Sequence, residues 1–158
     1  MLFRSYLGSL IAAIAQGTMI GRHIIGFESG LLGWGFALLV GLCVPAGYAL
    51  LGSTWLIMKS EGKLQSKAIK WAKISLIFTA IGIGLISIAT PLFSAQIMSK
   101  WFALPNIIYL LPIPLATVLL FILTERTLNS LSKNPHERMW VPFVASVAIY
   151  WLAFFGIA

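Results

Sequence analysis

The chain has 158 residues, of which 59% are hydrophobic and only 9% are charged, and its mean hydropathy is +0.96. Water-soluble domains contain about 45–50% apolar and about 25% charged residues, so this composition excludes a soluble globular protein. The net charge is +7, and the single cysteine, Cys43, excludes a disulfide framework or a paired-cysteine metal site within the chain.

Uncharged runs of membrane-spanning length divide the chain into five predicted helices. Each run is near or above the roughly 20 residues that cross a hydrocarbon core, and none alternates as a barrel strand would. We therefore predict an all-α integral membrane protein, a polytopic antiparallel bundle of about five transmembrane helices in a single domain. The predicted spans are 5–21, 31–58, 74–98, 104–124 and 139–158.

Glycines in the first two spans have spacings that favour close helix packing. Gly17 and Gly21 stand four residues apart at the end of the first span, and Gly41, Gly47 and Gly52 make the second span thin. Small residues let helix backbones approach closely in a membrane. We predict that Gly17, Gly21, Gly47 and Gly52 are packing or assembly positions.

Polar and backbone-disrupting residues also occur inside the spans. Pro45 leaves the carbonyl of Gly41 without its helical hydrogen-bond donor, so we expect a kink in the second span. The alternative is a broken helix that frames a binding site. Gln16 and Gln96 are the most polar side chains within the spans. We predict that they hydrogen-bond across helices, and contact with a quinone head group is the alternative.

A basic stretch follows the second span. It contains Lys59, Glu61, Lys63, Lys67, Lys70 and Lys73. The last four lysines recur at helical spacing on one face, and Leu64, Ala68 and Trp71 supply an apolar opposite face suited to the headgroup level. We interpret the stretch as a cytoplasmic anchor attracted to anionic lipid, and an acidic partner surface is the alternative.

The distribution of Lys and Arg predicts the orientation of the bundle. Antiparallel spans place the segments 1–4, 59–73 and 125–138 on one side, with nine of the eleven Lys and Arg residues. Arg22 and Lys100 lie on the other side. The positive-inside rule therefore predicts that the first side is cytoplasmic.

Reactive constellations are missing from the predicted spans. His23 and His136 lie in connections, and although His23 follows Met19 at helical spacing, we expect no haem ligation. The sequence has no paired carboxylates, histidine cluster, phosphate loop or intramembrane acid. We therefore predict no catalytic, cofactor-binding or metal-binding residue in this chain.

Aromatic residues complete the pattern of a membrane bundle. Residues interpreted as interfacial belt residues are Trp55, Trp71, Trp101, Tyr109, Trp140, Tyr150 and Trp151. Their amphipathic rings are expected at the level of the lipid headgroups.

The segment GYALLGSTWLIMKSEGKLQ, residues 47–65, closely resembles subunit II of cytochrome bd-type quinol oxidases. The segment FRSYLGSLIAAIAQGTMIG, residues 3–21, is similar to the preceding helix of that family, and LPIPLATVLLFILTERTL with the final span is compatible with it. The resemblance covers about the second half of a family member, without its Gly-Phe-Asp-Gly and Trp-Asp-Gly stretches. The chain is therefore expected to be incomplete at both ends.

The resemblance implies a role inside a complex in a bacterial inner membrane. The family's enzyme oxidises quinol and reduces dioxygen to water, with haems b and d held by subunit I. Subunit II is a related helical bundle that stabilises this haem-bearing partner and can hold a structural quinone. The implied partners are therefore subunit I, quinol and membrane lipid, and no nucleic acid.

Two other functions remain open from the residues alone. A fragment of a secondary transporter is weakly favoured by the Gly/Pro-interrupted spans, although no internal repeat or intramembrane charge supports it. A structural membrane scaffold is the other alternative. Quinol-dependent oxygen uptake would separate an oxidase subunit from both.

Overall fold

The structure is a computed structural model, and it describes residues 2–27, 30–93, 112–132 and 139–155. These residues form five helices and no strand. The helices are α1 (Leu2–Ile24), α2 (Leu31–Lys59), α3 (Gly62–Phe93), α4 (Pro112–Leu131) and α5 (Val141–Phe155). The sequence predictions for Gln96, Lys100, Trp101, Tyr109, Lys133, His136 and Arg138 lie outside the described residues.

The architecture is the helical membrane bundle that the sequence predicts. Helices α2 and α3 are long and apolar enough to cross a membrane over Leu31–Lys59 and Gly62–Thr90, and α5 contains a shorter apolar helix over Val141–Ala153. Helix α2 is central, because it packs along both α1 and α3 and also contacts α5. Helix α4 packs against α5 and α3.

Most of the predicted connection over residues 59–73 is helical. Helix α3 already begins at Gly62, so only Ser60 and Glu61 separate it from α2. The Ser60 N–H and hydroxyl both donate to the Leu56 carbonyl, at 3.0 and 2.6 Å, and Gly62 turns the chain with a φ of +65°. Lysine is a good helix former, and no Gly or Pro interrupts the next turns.

The prediction that Ala68 belongs to an apolar surface face of the basic stretch is wrong, whereas Leu64 and Trp71 do lie at the surface. Ala68 is fully buried in the bundle, whereas Leu64 is 49% and Trp71 55% exposed. The buried face of the first turns of α3 instead carries Gln65, Ala68, Ile69 and Ala72. The stretch is therefore not a separate surface helix, because its small residues let α3 pack directly against α2.

Two hydrophobic clusters hold the helices together at opposite ends. The larger one joins the end of α2, the start of α3 and the end of α4, and it comprises Leu50, Ile57, Ala68, Ile69, Ala72, Leu76, Leu128 and Leu131. The smaller one joins the end of α1 to the start of α2 and the far end of α3. Its buried members are Ile25, Phe36 and Val40, with Ile86 and Ala89 packed against them.

A Schellman motif ends α1 beside the start of α2. The N–H of Gly26 donates to the His23 carbonyl at 3.1 Å, and that of Phe27 donates to the Arg22 carbonyl at 2.9 Å. Gly26 has a φ of +64°, which glycine adopts without steric cost, and Phe27 follows at +60°. The Arg22 guanidinium then donates to the Phe27 carbonyl at 3.0 Å and lies 4.8 Å from the Trp34 ring centroid.

Candidate functional site

Helices α1 and α2 meet at four small residues, Gly17 and Gly21 on α1 with Ala37 and Gly41 on α2. A Cβ atom added to Gly17 would lie 2.7 Å from the Gly41 Cα, and one added to Gly21 would lie 2.6 Å from the Ala37 Cα. These separations are shorter than any van der Waals contact between carbons. We call these four residues the glycine contact, and a side chain at either α1 position would force the helices apart.

The α2 side of the glycine contact also carries a sequence signal. Gly33, Ala37 and Gly41 recur at every fourth position of α2, and all three are buried. This spacing places them on one face of the helix. The same small-residue periodicity that singled out Gly17 and Gly21 would have identified their partner stripe.

Gln16 joins the same two helices through a hydrogen bond. Its Oε1 accepts a bond of 2.9 Å from the Tyr48 hydroxyl on α2. Both side chains lie on the exposed side of the bundle, where lipid offers no competing hydrogen bond. The arrangement has the form of the interhelical bond predicted for Gln16, while contact with a quinone stays an untested alternative.

Gly47 provides a recess for Tyr150 of α5. A Cβ atom on Gly47 would overlap the Tyr150 phenol group. The phenol hydroxyl also lies beside Thr79 of α3, whose buried Oγ1 makes no hydrogen bond of standard geometry within the described chain. The belt interpretation of Tyr150 is therefore wrong, because this ring packs at the middle of α2 instead of at the membrane surface.

Gly52 differs from the other three glycines of interest. No atom lies within 4 Å of a Cβ built on it, and the residue is exposed. It opens into a groove between α2 and α3 that is lined by Ala49, Gly52, Ser53, Leu56, Trp71, Ile74 and Ser75. Within the described residues Gly52 thus packs against no other helix, and a packing role would need a contact beyond these residues.

The basic stretch spans the α2–α3 turn and the first turns of α3. Lys59, Glu61, Lys63, Lys67 and Lys70 are exposed, and Lys73 is partly buried. No ion pair forms to these lysines within the part of the chain that the structure describes. The Lys59 ammonium instead lies 5.5 Å from the Trp55 ring centroid, and Trp55 contacts Phe143 edge to face at 5.2 Å.

Gln65 is a functional candidate that sequence analysis missed, because the residue was assigned to a connection. It is 2% exposed, and its Nε2 donates to the Ile57 carbonyl at 3.4 Å and to the Met139 sulfur at 3.1 Å. The side chain therefore links α2, α3 and the residues before α5. Its position eight residues after Ile57, across a tight turn, gave no local sequence signal.

Metal and haem ligands were not predicted for this chain. Among residues 2–27, 30–93, 112–132 and 139–155, no group of three or more His, Cys, Asp or Glu could hold a metal ion. His23 and Met19 are both exposed, and the His23 ring contacts Phe27 edge to face at 6.3 Å. What the described geometry supplies is helix packing, interhelical hydrogen bonds and a basic surface.

Comparison with known families identifies the setting in which this packing operates. A family model described as cytochrome bd terminal oxidase subunit II matches residues 3–158. The chain belongs to this family. Comparisons with curated proteins and with solved structures gave no match.

Membership in the cytochrome bd terminal oxidase subunit II family agrees with the resemblance noted in residues 3–21 and 47–65. The match covers both segments and continues through all five helices. The chain is therefore of the subunit II type found in membrane-bound terminal oxidase complexes. The features that it can offer to such a complex are its helix contacts.

Proposed function

We propose that the chain acts as the non-haem-ligating subunit II of a quinol:oxygen oxidoreductase of the cytochrome bd type. In this role it supports a haem-bearing subunit I, which carries haems b and d, oxidises quinol and reduces dioxygen to water. The match of the family model over residues 3–158 carries the proposal. The catalytic groups are assigned to the partner, and this chain contributes helix packing.

The packing geometry supports a scaffolding contribution. The glycine contact joins α1 to α2 at backbone distance, and the Gly47 recess joins α5 to the middle of α2. Both contacts fix neighbouring helices, α1 and α5, against the central one. Helices that are already fixed lose less conformational entropy when a partner binds, which favours association.

Location and orientation belong to the same proposal. We place the subunit in a bacterial inner membrane with residues 1–4, 59–73 and 125–138 on the cytoplasmic side, as the distribution of Lys and Arg predicts. The partners are subunit I, quinol and lipid. A structural quinone held by the chain is part of the proposal only through the family resemblance.

Oxygen uptake tests the proposed function directly. Subunit I would be expressed with and without this chain in a strain that lacks other terminal oxidases, and the purified membranes would be assayed with a quinol. We expect quinol-dependent oxygen uptake and a full haem spectrum only with both subunits. Equal haem content and oxygen uptake without this chain would refute the proposal, and a transporter fragment or an unrelated scaffold would give that result.

A further inference from the structure

An open groove on the outer surface of α2 and α3 is not explained by helix packing. It has a volume of about 400 Å³ and is lined mainly by apolar atoms of Ala49, Gly52, Leu56, Trp71 and Ile74. Gly52 forms its floor, because no atom of the described chain occupies the space above this glycine. Ile74 is 54% and Trp71 55% exposed, so the walls face the surroundings of the bundle.

Two exposed lysines belong to the α3 wall of this groove. Lys67 and Lys70 precede Trp71 and Ile74 by four residues each, so they continue this wall toward the α2–α3 turn. Residues at these spacings lie on one helix face, which places positive charge along the α3 wall. Lys59 of α2 is not counted with them, because its ammonium lies over Trp55, whose ring faces Phe143 of α5.

The depth of the groove follows from the length of α3. The part of α3 from Ile74 to Phe93 carries no charge, and at about 1.5 Å per residue it spans about 30 Å, the thickness of a hydrocarbon core. Trp71 and Lys70 therefore fall at the boundary between acyl chains and headgroups. The groove straddles this boundary. Ile74 lies on its acyl-chain side, and Leu56 lies nearer the α2–α3 turn, on its headgroup side.

We propose that this groove is a binding site for one anionic phospholipid. An acyl chain lies over Gly52 between Leu56 and Ile74, and the phosphate is held by Lys67 and Lys70. The acyl chain is stabilised by apolar burial along the groove, and the phosphate of the same molecule is stabilised by charge pairing with the lysines. The inference does not depend on the proposed oxidase function.

Charge favours a lipid over a protein helix as the occupant. Among the residues of the groove and its mouth, only Glu61 is acidic, and the lysines make no ion pair within the described residues. A transmembrane helix laid in the groove would bury these lysines, and each unpaired buried charge costs free energy. A phospholipid leaves the lysine ends in the headgroup layer, where long side chains keep their charge solvated.

Lipid titration by native mass spectrometry tests the charge requirement. The full chain, purified in detergent alone and with subunit I, would be titrated with phosphatidylglycerol and with phosphatidylcholine of the same acyl chains. We expect one preferred phosphatidylglycerol per chain, and K67Q/K70Q should weaken it about tenfold. The control R4Q/K73Q removes the same charge away from the groove and should retain the affinity. Equal affinity for both lipids would overturn the proposal.

A second pair of variants tests the groove itself. Gly52→Leu fills the groove, whereas Gly35→Leu adds the same side chain at another open position of α2. We expect Gly52→Leu to remove the preferred lipid and Gly35→Leu to keep it, with both variants equally helical and monodisperse. Equal lipid binding by the two variants would refute the site. So would a cross-link from a cysteine at position 52 to subunit I or to a second copy of the chain.

Discussion

At the scale of single residues, the glycine contact depends on the absence of a side chain at two positions of α1. Gly21→Leu places a side chain against Ala37, where even a Cβ atom lies 2.6 Å from the Cα. Gly8→Leu makes the same change on α1 at a position with nothing within 4 Å. The pair therefore separates helix contact from any effect of leucine on the helix itself.

We predict that Gly21→Leu lowers the free energy of unfolding in mixed micelles by about 1–3 kcal/mol, because overpacking must be relieved by separating the helices. Gly8→Leu should leave it unchanged or raise it slightly, since leucine is the better helix former. Titration with a denaturing detergent, followed by circular dichroism, measures both. Similar losses in the two variants would contradict the contact described here.

The Gln16–Tyr48 hydrogen bond is a second residue-scale feature that can be measured. A double-mutant cycle of Gln16→Leu and Tyr48→Phe isolates its energy, because each change removes one partner. Interhelical bonds of this kind in membranes average about 0.6 kcal/mol, and we expect a coupling of that size. Zero coupling would show that the two side chains do not bond, and would favour the quinone alternative for Gln16.

At the scale of elements, α3 differs most from the sequence expectation, since its first turns belong to the bundle. Ala68 and Ala72 are both fully buried there. Small residues at this height allow the end of α2 and the start of α3 to pack closely beside Leu128 of α4. The lysines occupy the opposite face because those positions point away from α2.

The buried start of α3 gives a prediction with a matched control on the same helix. Ala68→Leu should lower the free energy of unfolding by about 1–3 kcal/mol, because Ala68 has no exposed surface to accept the added atoms. Ala80→Leu, at an exposed position, should change it little. Detergent unfolding of both variants is the measurement. If Ala68→Leu proved as stable as Ala80→Leu, the first turns of α3 would not be packed as described.

At the scale of the whole molecule, the orientation in the membrane is the remaining prediction. In a Cys43→Ser background, cysteines would replace Glu61 at the α2–α3 turn and Gly30 before α2, both of which are exposed. A membrane-impermeant maleimide applied to intact spheroplasts should label position 30, and position 61 should react only in inverted vesicles. The reverse labelling pattern would invert the proposed topology.

Composition and charge by themselves determined the class of this protein. Uncharged runs of membrane length leave helices as the structure that satisfies every backbone group, because lipid supplies no hydrogen bonds. The glycine spacing marked Gly17 and Gly21, and residues 47–65 carried the resemblance to the family that the comparison then identified. The glycine spacing and residues 47–65 are local signals, and each lies within a short stretch of the chain.

Only the tertiary structure decided which residues meet. It placed Gly47 under Tyr150, left Gly52 open, and put Gln65 between Ile57 and Met139. It also continued α3 back to Gly62 and kept α2 unbroken through Pro45. Charge patterns report where a chain leaves the membrane, but not where a helix ends. Contacts between distant segments depend on how whole helices fit together, and no single segment of sequence contains that information.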